Sequence, residues 1–232
     1  MENNSVDIFG IKPYGEVLKI VTKESIETVK NFLEIVCKPA AEEFGFLLSD
    51  KVRIWRLKNI VKILEKSNNK LEFDGQKIQL KQIHPKIINK IFEDGSLESD
   101  EEVQNYWAGL IASSLNEYPT DDNIIFFEIL KQLTRTELFL IQYFCSNSEI
   151  QQNINGLIET KKGIILDADE YFEIVKSNDI NKLNTEINHL KGLDLIEKGF
   201  GLASGFFEKD GVLKVGLKMS PLAINLYNKC NK

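Results

Sequence analysis

The chain has 232 residues, enough for one large domain or two small ones, and its 43% hydrophobic and 28% charged residues are typical of a globular protein. The formal net charge of -6 excludes the overall basic excess that drives most binding to nucleic-acid phosphates, so any such contact needs a local basic patch. No uncharged apolar stretch approaches the roughly 20 residues that cross a bilayer, and the first residues do not resemble a secretory signal, so we expect a cytoplasmic protein without a membrane span.

Cysteine and histidine residues are too few and too scattered to suggest a metal site. Cys37, Cys145 and Cys230 form no CxxC pair, and the only histidines are His84 and His189. A zinc site usually needs four such ligands at short spacing. The sequence therefore predicts no metal, no cofactor and no small-molecule ligand, and we interpret the cysteines as buried or incidental thiols in a reducing compartment.

The first half of the chain has the apolar spacing of amphipathic helices. Apolar residues recur every three or four positions over residues 15–38 and again over 40–68, with Pro39 between the two segments. Residues 71–80 contain a DG turn between alternating residues, which predicts a small hairpin or an ordered loop. A further helix is expected from Pro85 to Gly95.

The second of these helices carries a local basic patch. Between residues 51 and 70 there are seven basic residues and one acidic residue. Two interpretations remain open: an electrostatic contact with nucleic acid or an anionic lipid surface, or a solvated helix face balanced by acidic neighbours at residues 98–102. The candidate contact residues in this patch are Arg53, Arg56, Lys58, Lys62 and Lys66.

An acidic cluster marks the start of the next helix. Ser99 and Glu102 have the spacing of a capping box, and the acids at 100–102 suit the positive end of a helix dipole. Helix-start chemistry explains this cluster without catalysis. Farther along the helix, Trp107 falls on the apolar face and is predicted to be a core anchor rather than a base-stacking residue.

Four segments of this half together resemble a known bacterial family. They are KPAAEEFG at 38–45, WRLKNIVKILEK at 55–66, PKIINKIFEDGSLESDEEVQNYWAGLIASSL at 85–115 and FFEILKQLTRTEL at 126–138. In this order they resemble the abortive infection alpha family, over roughly residues 15 to 145. The resemblance implies a role in abortive infection or phage resistance, and it supplies no catalytic residues.

The second half predicts helices followed by short strands. Thr134 and Glu137 form another capping box, and residues 146–163 are polar enough to suggest a flexible connection with a short helical turn. Further helices are expected at 167–176 and 181–191, the latter ended by Gly192 in the left-handed conformation. Strand-like runs joined by KDG at 209–211 and a last helix from Pro221 complete the order of a winged helix-turn-helix domain.

These patterns predict a mainly α (α+β) fold with two regions. Residues 1–118 form the helical region, and residues 119–232 form a winged-helix-like domain with a small antiparallel hairpin or sheet. The outward residues of its third helix are candidates for contact with DNA or a protein partner. They are Lys182, Asn184, Thr185, Asn188 and Lys191.

The functional prediction is a non-enzymatic component of an antiphage defence system that acts through protein contacts, as a homo-oligomer or with another protein. The alternative is a winged-helix transcriptional regulator that binds DNA through the third helix. Against DNA reading, Glu186 lies on that helix, and Arg135 is the only arginine in this half. An enzyme is the weakest of the three hypotheses, because no nucleophile–base pair or metal-ligand spacing stands out.

Overall fold

A computed structural model describes residues 51–73, 83–116, 123–200 and 214–231 of the protein. The described residues are mainly helical with two small antiparallel sheets, which confirms the predicted mainly α (α+β) class. They fall into two compact units, one comprising the residues up to Lys131 and from Cys230 onwards, the other Gln132–Lys229. The predicted helix at 15–38, the boundary between 118 and 119, and the KDG turn at 209–211 lie outside the described residues.

The described residues of the first unit form four helices and one short 3-10 turn. The helices are α1 (Lys51–Phe73), α2 (Pro85–Glu93), α3 (Glu101–Asn116) and α4 (Ile124–Leu130), and the 3-10 turn is Gly95–Leu97. The long helices α1 and α3 pack against each other. Their buried side chains form the centre of this unit, as the apolar spacing in the sequence predicts.

Helix α1 confirms the predicted apolar stripe. Leu57, Ile60, Val61 and Leu64 are all buried. The helix continues to Phe73, so the first three residues of the hairpin or loop predicted at 71–80 are helical instead. The rest of that segment lies outside the described residues.

Trp107 of α3 is the largest fully buried side chain of the described residues, which confirms its predicted role as a core anchor. Its ring centroid lies 5.6 Å from that of Phe127 on α4. A Cβ added at Gly95 would lie 3.0 Å from Trp107 Cε3, so glycine lets the 3-10 turn approach the indole closely. Aromatic packing and this close approach together fix the position of α3 in the first unit.

The start of α3 differs from the prediction by one residue. Asp100, and not Ser99, caps the helix: its Oδ1 accepts from the backbone N–H groups of Glu102 at 3.0 Å and Val103 at 3.2 Å. The Glu98 carboxylate in turn accepts from the N–H of Asp100 at 2.9 Å. The predicted Ser99–Glu102 capping box is therefore wrong. A carboxylate next to Ser99 is the stronger acceptor for orphan N–H groups, and it also suits the helix dipole.

The second unit alternates helices with short strands. Its helices are α5 (Arg135–Asn147), α6 (Ala168–Val175), α7 (Ile180–Gly192) and α8 (Pro221–Cys230), and its strands are β1 (Ile150–Gln152), β2 (Ile158–Thr160), β3 (Ile164–Asp167) and β4 (Lys214–Leu217). Strand β1 pairs antiparallel with β2, and β3 pairs antiparallel with β4, with Ile164 opposite Leu217. An isolated antiparallel bridge joins Ile196 to Met219.

Side-chain caps fix the starts of all four helices described in this unit, including α8, where Ser220 Oγ accepts from Ala223 N–H at 3.2 Å. The predicted capping box of α5 is confirmed: Glu137 N–H donates to Thr134 Oγ1 at 3.2 Å, and Thr134 N–H donates to Glu137 Oε2 at 2.7 Å. Asp167 and Glu170 form a second box at α6, which the sequence prediction did not include. At α7, the Asp179 carboxylate accepts from two backbone N–H groups. These caps set where each helix enters the unit.

Strands β1 and β2 form a β-hairpin after α5, so the predicted flexible connection with a helical turn at 146–163 is wrong. The turn is held by Asn153, whose Oδ1 accepts from the N–H groups of Asn155 and Leu157 at 2.9 and 3.0 Å. Gly156 has a φ of 78°, which only glycine adopts without strain. The side-chain acceptor and the glycine together specify a tight turn, which a count of polar residues does not reveal.

The left-handed residue that terminates helix α7 differs from the one predicted. Asp194, with φ 56°, takes the left-handed conformation, while Gly192 remains the last helical residue. Leu195 N–H donates to Leu190 O at 2.9 Å and Asp194 N–H to Lys191 O at 3.0 Å, the two bonds of a Schellman motif. Burial of Leu190 and Leu195 places the motif two residues later than glycine alone would suggest.

Candidate functional site

The basic face of α1 lies against the acidic start of α3. Lys62 Nζ is 3.0 Å from Glu101 Oε1, and Lys66 Nζ donates to the backbone oxygen of Glu101 at 2.8 Å. The hydrogen bond from Lys62 lowers the pKa of the Glu101 carboxyl, which favours its charged form. This arrangement is the one expected of a helix face balanced by acidic neighbours.

Arg56, another candidate contact residue, supports the fold of the first unit. Its Nε donates to Ser96 Oγ at 2.8 Å, and its Nη2 donates to Phe92 O at 2.8 Å and to Glu93 O at 3.3 Å. The guanidinium therefore satisfies carbonyl groups at the end of α2, where a helix leaves acceptors without partners. Asn59 adds a bond to Ser96 O at 3.0 Å. Arg56 is thus engaged in joining α1 to the end of α2.

The two remaining candidates of the basic patch on α1 are Lys58 and Arg53. Lys58 is half-exposed, and no ion pair of the described residues includes it. Arg53 lies in α1, but its side chain is outside the described ones. Of the five candidates on this helix, three therefore have partners within the first unit.

The outer face of α7 presents polar side chains that largely bond to one another. Asn188 Nδ2 donates to Asn184 Oδ1 at 3.1 Å, and Thr185 Oγ1 donates to the backbone oxygen of Asn181 at 2.9 Å. Lys182 Nζ lies 3.8 Å from Glu186 Oε1. Four of the five candidates on this helix are exposed and Lys191 is half-buried, so the face is accessible to a partner.

Beneath this face, a buried hydrogen bond joins α7 to α5. His189 Nδ1 lies 2.6 Å from Glu137 Oε1, while the other oxygen of that carboxylate caps α5. Glu137 is 1% exposed, whereas the His189 side chain is 40% exposed. The carboxylate therefore has a partner on each oxygen, which offsets the cost of burying it.

A second buried carboxylate of this unit belongs to Glu186 on α7. Burial raises the pKa of Glu186, and Glu137 acts in the same direction, whereas Lys182 and a hydrogen bond with Thr136 oppose the rise. Burial also raises the pKa of Tyr171 on α6, with the two carboxylates adding to it. The Tyr171 hydroxyl has no hydrogen-bond partner among the described residues. Ionisable groups of α5, α6 and α7 thus meet at one buried place, which we call the acid cluster: Glu137, Tyr171, Glu186 and His189.

The acid cluster is not predicted from the sequence, although one signal for it is present. Glu186 falls within the helical repeat of Leu183, Ile187 and Leu190, so the same spacing that predicts their burial predicts its burial too. In the linear sequence its charge counts only against DNA reading.

The described residues contain two buried cysteines and no cluster of potential metal ligands. No group of three or more His, Cys, Asp or Glu side chains among them is placed to hold a metal ion. Burial raises the pKa of the Cys145 thiol to about 12, so its nucleophilic thiolate is scarce at neutral pH. Cys230 is also buried.

None of the helices described in the structure is long and apolar enough to span a membrane.

Comparison with known proteins assigns the chain to a family. The family model described as abortive infection alpha matches residues 56–208, well over half of the chain. The match extends beyond α7, farther than the resemblance placed at residues 15–145, so most of the second unit shares the family pattern. No curated protein and no solved structure was found to match. The chain belongs to the abortive infection alpha family, whose description connects it with abortive-infection defence against phage.

Proposed function

We propose that the protein acts in phage defence by binding other proteins, without catalysing a reaction, and that its second unit is a winged helix-turn-helix scaffold for these contacts. The observation that carries this proposal is that cationic side chains on both candidate faces lie next to carboxylates. Lys62 lies beside Glu101 and Lys182 beside Glu186. A paired cation has less charge to offer a phosphate backbone, so these faces suit a protein better than a nucleic acid.

The order of elements supports the scaffold. Helix α5 is followed by the β1–β2 hairpin and then by β3, α6, α7 and β4, and β3 lies antiparallel to β4. An isolated bridge joins Ile196 to Met219. In a winged helix-turn-helix domain the helix corresponding to α7 presents its outer face to the partner. The hydrogen bond between His189 and Glu137 holds this helix on α5, so the outer face is presented in one orientation.

The alternative is a DNA-binding regulator, and the exposed asparagines of α7 favour it. Asparagine reads adenine through two hydrogen bonds, and Asn184 and Asn188 lie on one exposed face. In this structure, however, their side chains bond to each other. The guanidinium of Arg135 lies 5.1 Å from the centroid of the Phe139 ring rather than on the face of α7. We therefore rank DNA binding second.

A DNA-binding measurement separates the two functions. At about 50 mM salt, we expect a labelled duplex to show no binding that weakens steeply with added salt. Steep, salt-sensitive binding that is lost in the Asn184→Ala, Asn188→Ala double variant would instead support the regulator. Asn89→Ala, an exposed asparagine on α2, is the matched control.

Phage plating tests the role in defence and the kind of contact together. Cells that express the chain with its genomic neighbours should form fewer plaques than cells without it, across a broad phage panel. The Asn184→Arg, Asn188→Arg double variant should lose this protection, because two long cations disrupt a protein interface but would strengthen binding to DNA. Asn89→Arg should retain it. Unchanged plaque counts for the unaltered chain against every phage would refute the defence function.

A further inference from the structure

The two buried carboxylates of the acid cluster differ in the partners that they have. Glu137 accepts from Thr134 N–H at 2.7 Å with one oxygen, and its other oxygen lies 2.6 Å from His189 Nδ1. The residue also lies in the first turn of α5, where the helix dipole favours a negative charge. A negative charge on Glu137 therefore has partners on both oxygens.

Glu186 has weaker compensation for a negative charge. The residue is 6% exposed. It is paired with Lys182, whose Nζ lies 3.8 Å away and whose side chain is 49% exposed. A hydrogen bond with Thr136 adds an uncharged partner near the start of α5. Because ionisation of a buried carboxylate loses hydration that such partners replace only in part, the neutral form of Glu186 is favoured.

The ionisable groups of neighbouring helices add no positive charge beside Glu186. The carboxylate of Glu137 on α5 acts against its ionisation. Tyr171 on α6 is fully buried, and its hydroxyl has no hydrogen-bond partner among the described residues. His189 lies three residues after Glu186 on α7, but its Nδ1 is engaged with Glu137. One imidazole thus serves two carboxylates, and a second negative charge has no buried partner of its own.

We propose that Glu186 is a proton-dependent switch for α7: its neutral form lets the helix pack on α5, and its ionised form repels Glu137 and loosens the helix. Residues three apart lie on the same face of a helix, so Glu186 and His189 both lie on the face of α7 that packs on α5. The outer face of α7 is then held in one orientation only while Glu186 is neutral. This inference rests on the proposed function, since it assigns regulation to the face proposed for protein contacts.

The direction of the pH effect depends on which state of α7 binds the proton more tightly. Burial raises the pKa of Glu186 above 4.5 in the packed state, whereas an opened helix exposes the carboxyl to water. The contribution to packing is therefore present below the ordinary pKa and is lost as pH rises through the packed-state pKa. Local opening of α7 should thus become more frequent as pH rises.

Amide hydrogen exchange of the full chain from about pH 5 to about pH 8, corrected for the intrinsic pH dependence of exchange, tests the switch. Amides of α7 should lose protection as pH rises, whereas those of α3 should not. Glu186→Gln is neutral at every pH and keeps both Glu137 and His189, so its α7 amides should stay protected. Glu173→Gln, at an exposed carboxylate of α6, should behave as the unaltered chain does.

A surface substitution should change the switch in the opposite direction. Lys182→Ala removes the exposed cation 3.8 Å from Glu186, so ionisation of the carboxylate becomes less favourable in the packed state. The loss of α7 protection at high pH should then be larger than in the unaltered chain. This variant keeps the test decisive if Glu186→Gln fails to fold. Protection of α7 that is independent of pH in the unaltered chain, or that falls equally in Glu186→Gln, would overturn the inference.

The switch and the proposed function can fail separately. If α7 loosens with pH as expected but the Asn184→Arg, Asn188→Arg variant still restricts phage, the switch stands and the contact face is refuted. If the unaltered chain restricts phage while the exchange of α7 does not depend on pH, the switch is refuted and the defence function stands.

Discussion

The two units of the protein use ionisable side chains in different ways. In the first unit, lysines and carboxylates meet at the surface, as Lys62 and Glu101 do, and as Glu128 does with Lys90 and Lys131. In the second unit, two carboxylates are buried beneath α7, and one of them is bonded to a helix start and to a histidine. Surface ion pairs of this kind contribute little to the free energy of folding. A buried carboxylate without a partner is costly, so the fold strongly favours the arrangement in which its oxygens are hydrogen-bonded.

This difference indicates where each unit is tolerant of change. The first unit depends on apolar packing around Trp107 and on the hydrogen bonds of Arg56, whereas its lysine–carboxylate pairs lie at the surface. The second unit depends on polar groups that hold α7 in one position. Substitutions that change either packing or charge therefore test this difference between the two units.

We expect the largest loss of stability from a substitution in the apolar centre of the first unit. Trp107→Ala should lower the free energy of unfolding by about 3–5 kcal/mol, because it removes the indole and leaves a cavity next to Gly95 and Phe127. Urea titration followed by circular dichroism measures the change. Trp55→Ala, at a tryptophan that is 41% exposed, should cost much less, and equal losses would refute the assigned core.

A smaller loss is expected when the buried carboxylate of α5 is removed. Glu137→Ala takes one partner from Thr134 N–H and one from His189, and we expect a loss of about 1–3 kcal/mol. Glu173→Ala, at an exposed position on α6, is the control. If both variants unfold at the same urea concentration as the unaltered chain, Glu137 does not hold α7.

The stability of the Glu186→Gln variant should differ from that of the unaltered chain in a way that depends on pH. Burial raises the folded-state pKa of Glu186 above its ordinary value of 4.5, so the folded state binds the proton more tightly than the unfolded state. Its contribution to stability is present below the ordinary pKa and is lost as pH rises through the folded pKa. Glutamine stays neutral, so we expect the variant to be the more stable protein at pH 8 and to match the unaltered chain closely at pH 4.

Unfolding of both proteins by urea at several pH values tests this expectation. The variant's advantage should increase as pH rises through the folded-state pKa of Glu186 and should then level off. A constant difference across this range would show that ionisation of Glu186 does not weaken the fold.

The smallest effect is expected for a surface pair of the first unit. Lys62→Ala should change the urea midpoint less than any of the preceding substitutions, because solvent screens its interaction with Glu101. Repeating the titration at high salt should leave the difference between variant and unaltered chain almost unchanged. A loss as large as that of Glu137→Ala would remove the distinction between the units.

The sequence predicts helices well where apolar spacing and caps agree. Helix α5 has both a Thr134–Glu137 box and a regular stripe, and it begins where predicted. The ends of α3 and α7 differ by one or two residues, because neighbouring residues compete as caps and packing decides between them. The β1–β2 hairpin escaped prediction because its strands have three residues each and its turn depends on a single asparagine side chain.

The candidate contact residues show the limit of reading charge from a linear sequence. Basic residues of α1 form a run in the chain, yet their acidic partner Glu101 lies 39 residues from Lys62. The acid cluster is likewise not evident from the linear sequence, because its members Glu137 and His189 are 52 residues apart. Helical spacing identifies which side chain is buried, but only the fold shows which group it meets.

The base of the hairpin has a consequence for how this protein can vary. Lys161 N–H donates to Glu149 O at 2.9 Å, and the side chains of the same two residues form an ion pair, so the hairpin closes on itself. Everything between these residues is a self-contained insertion whose two ends already lie side by side. Such an insertion can be shortened, lengthened or exchanged while α5 and β3 keep their places. The tip can therefore diversify independently of the domain that carries it.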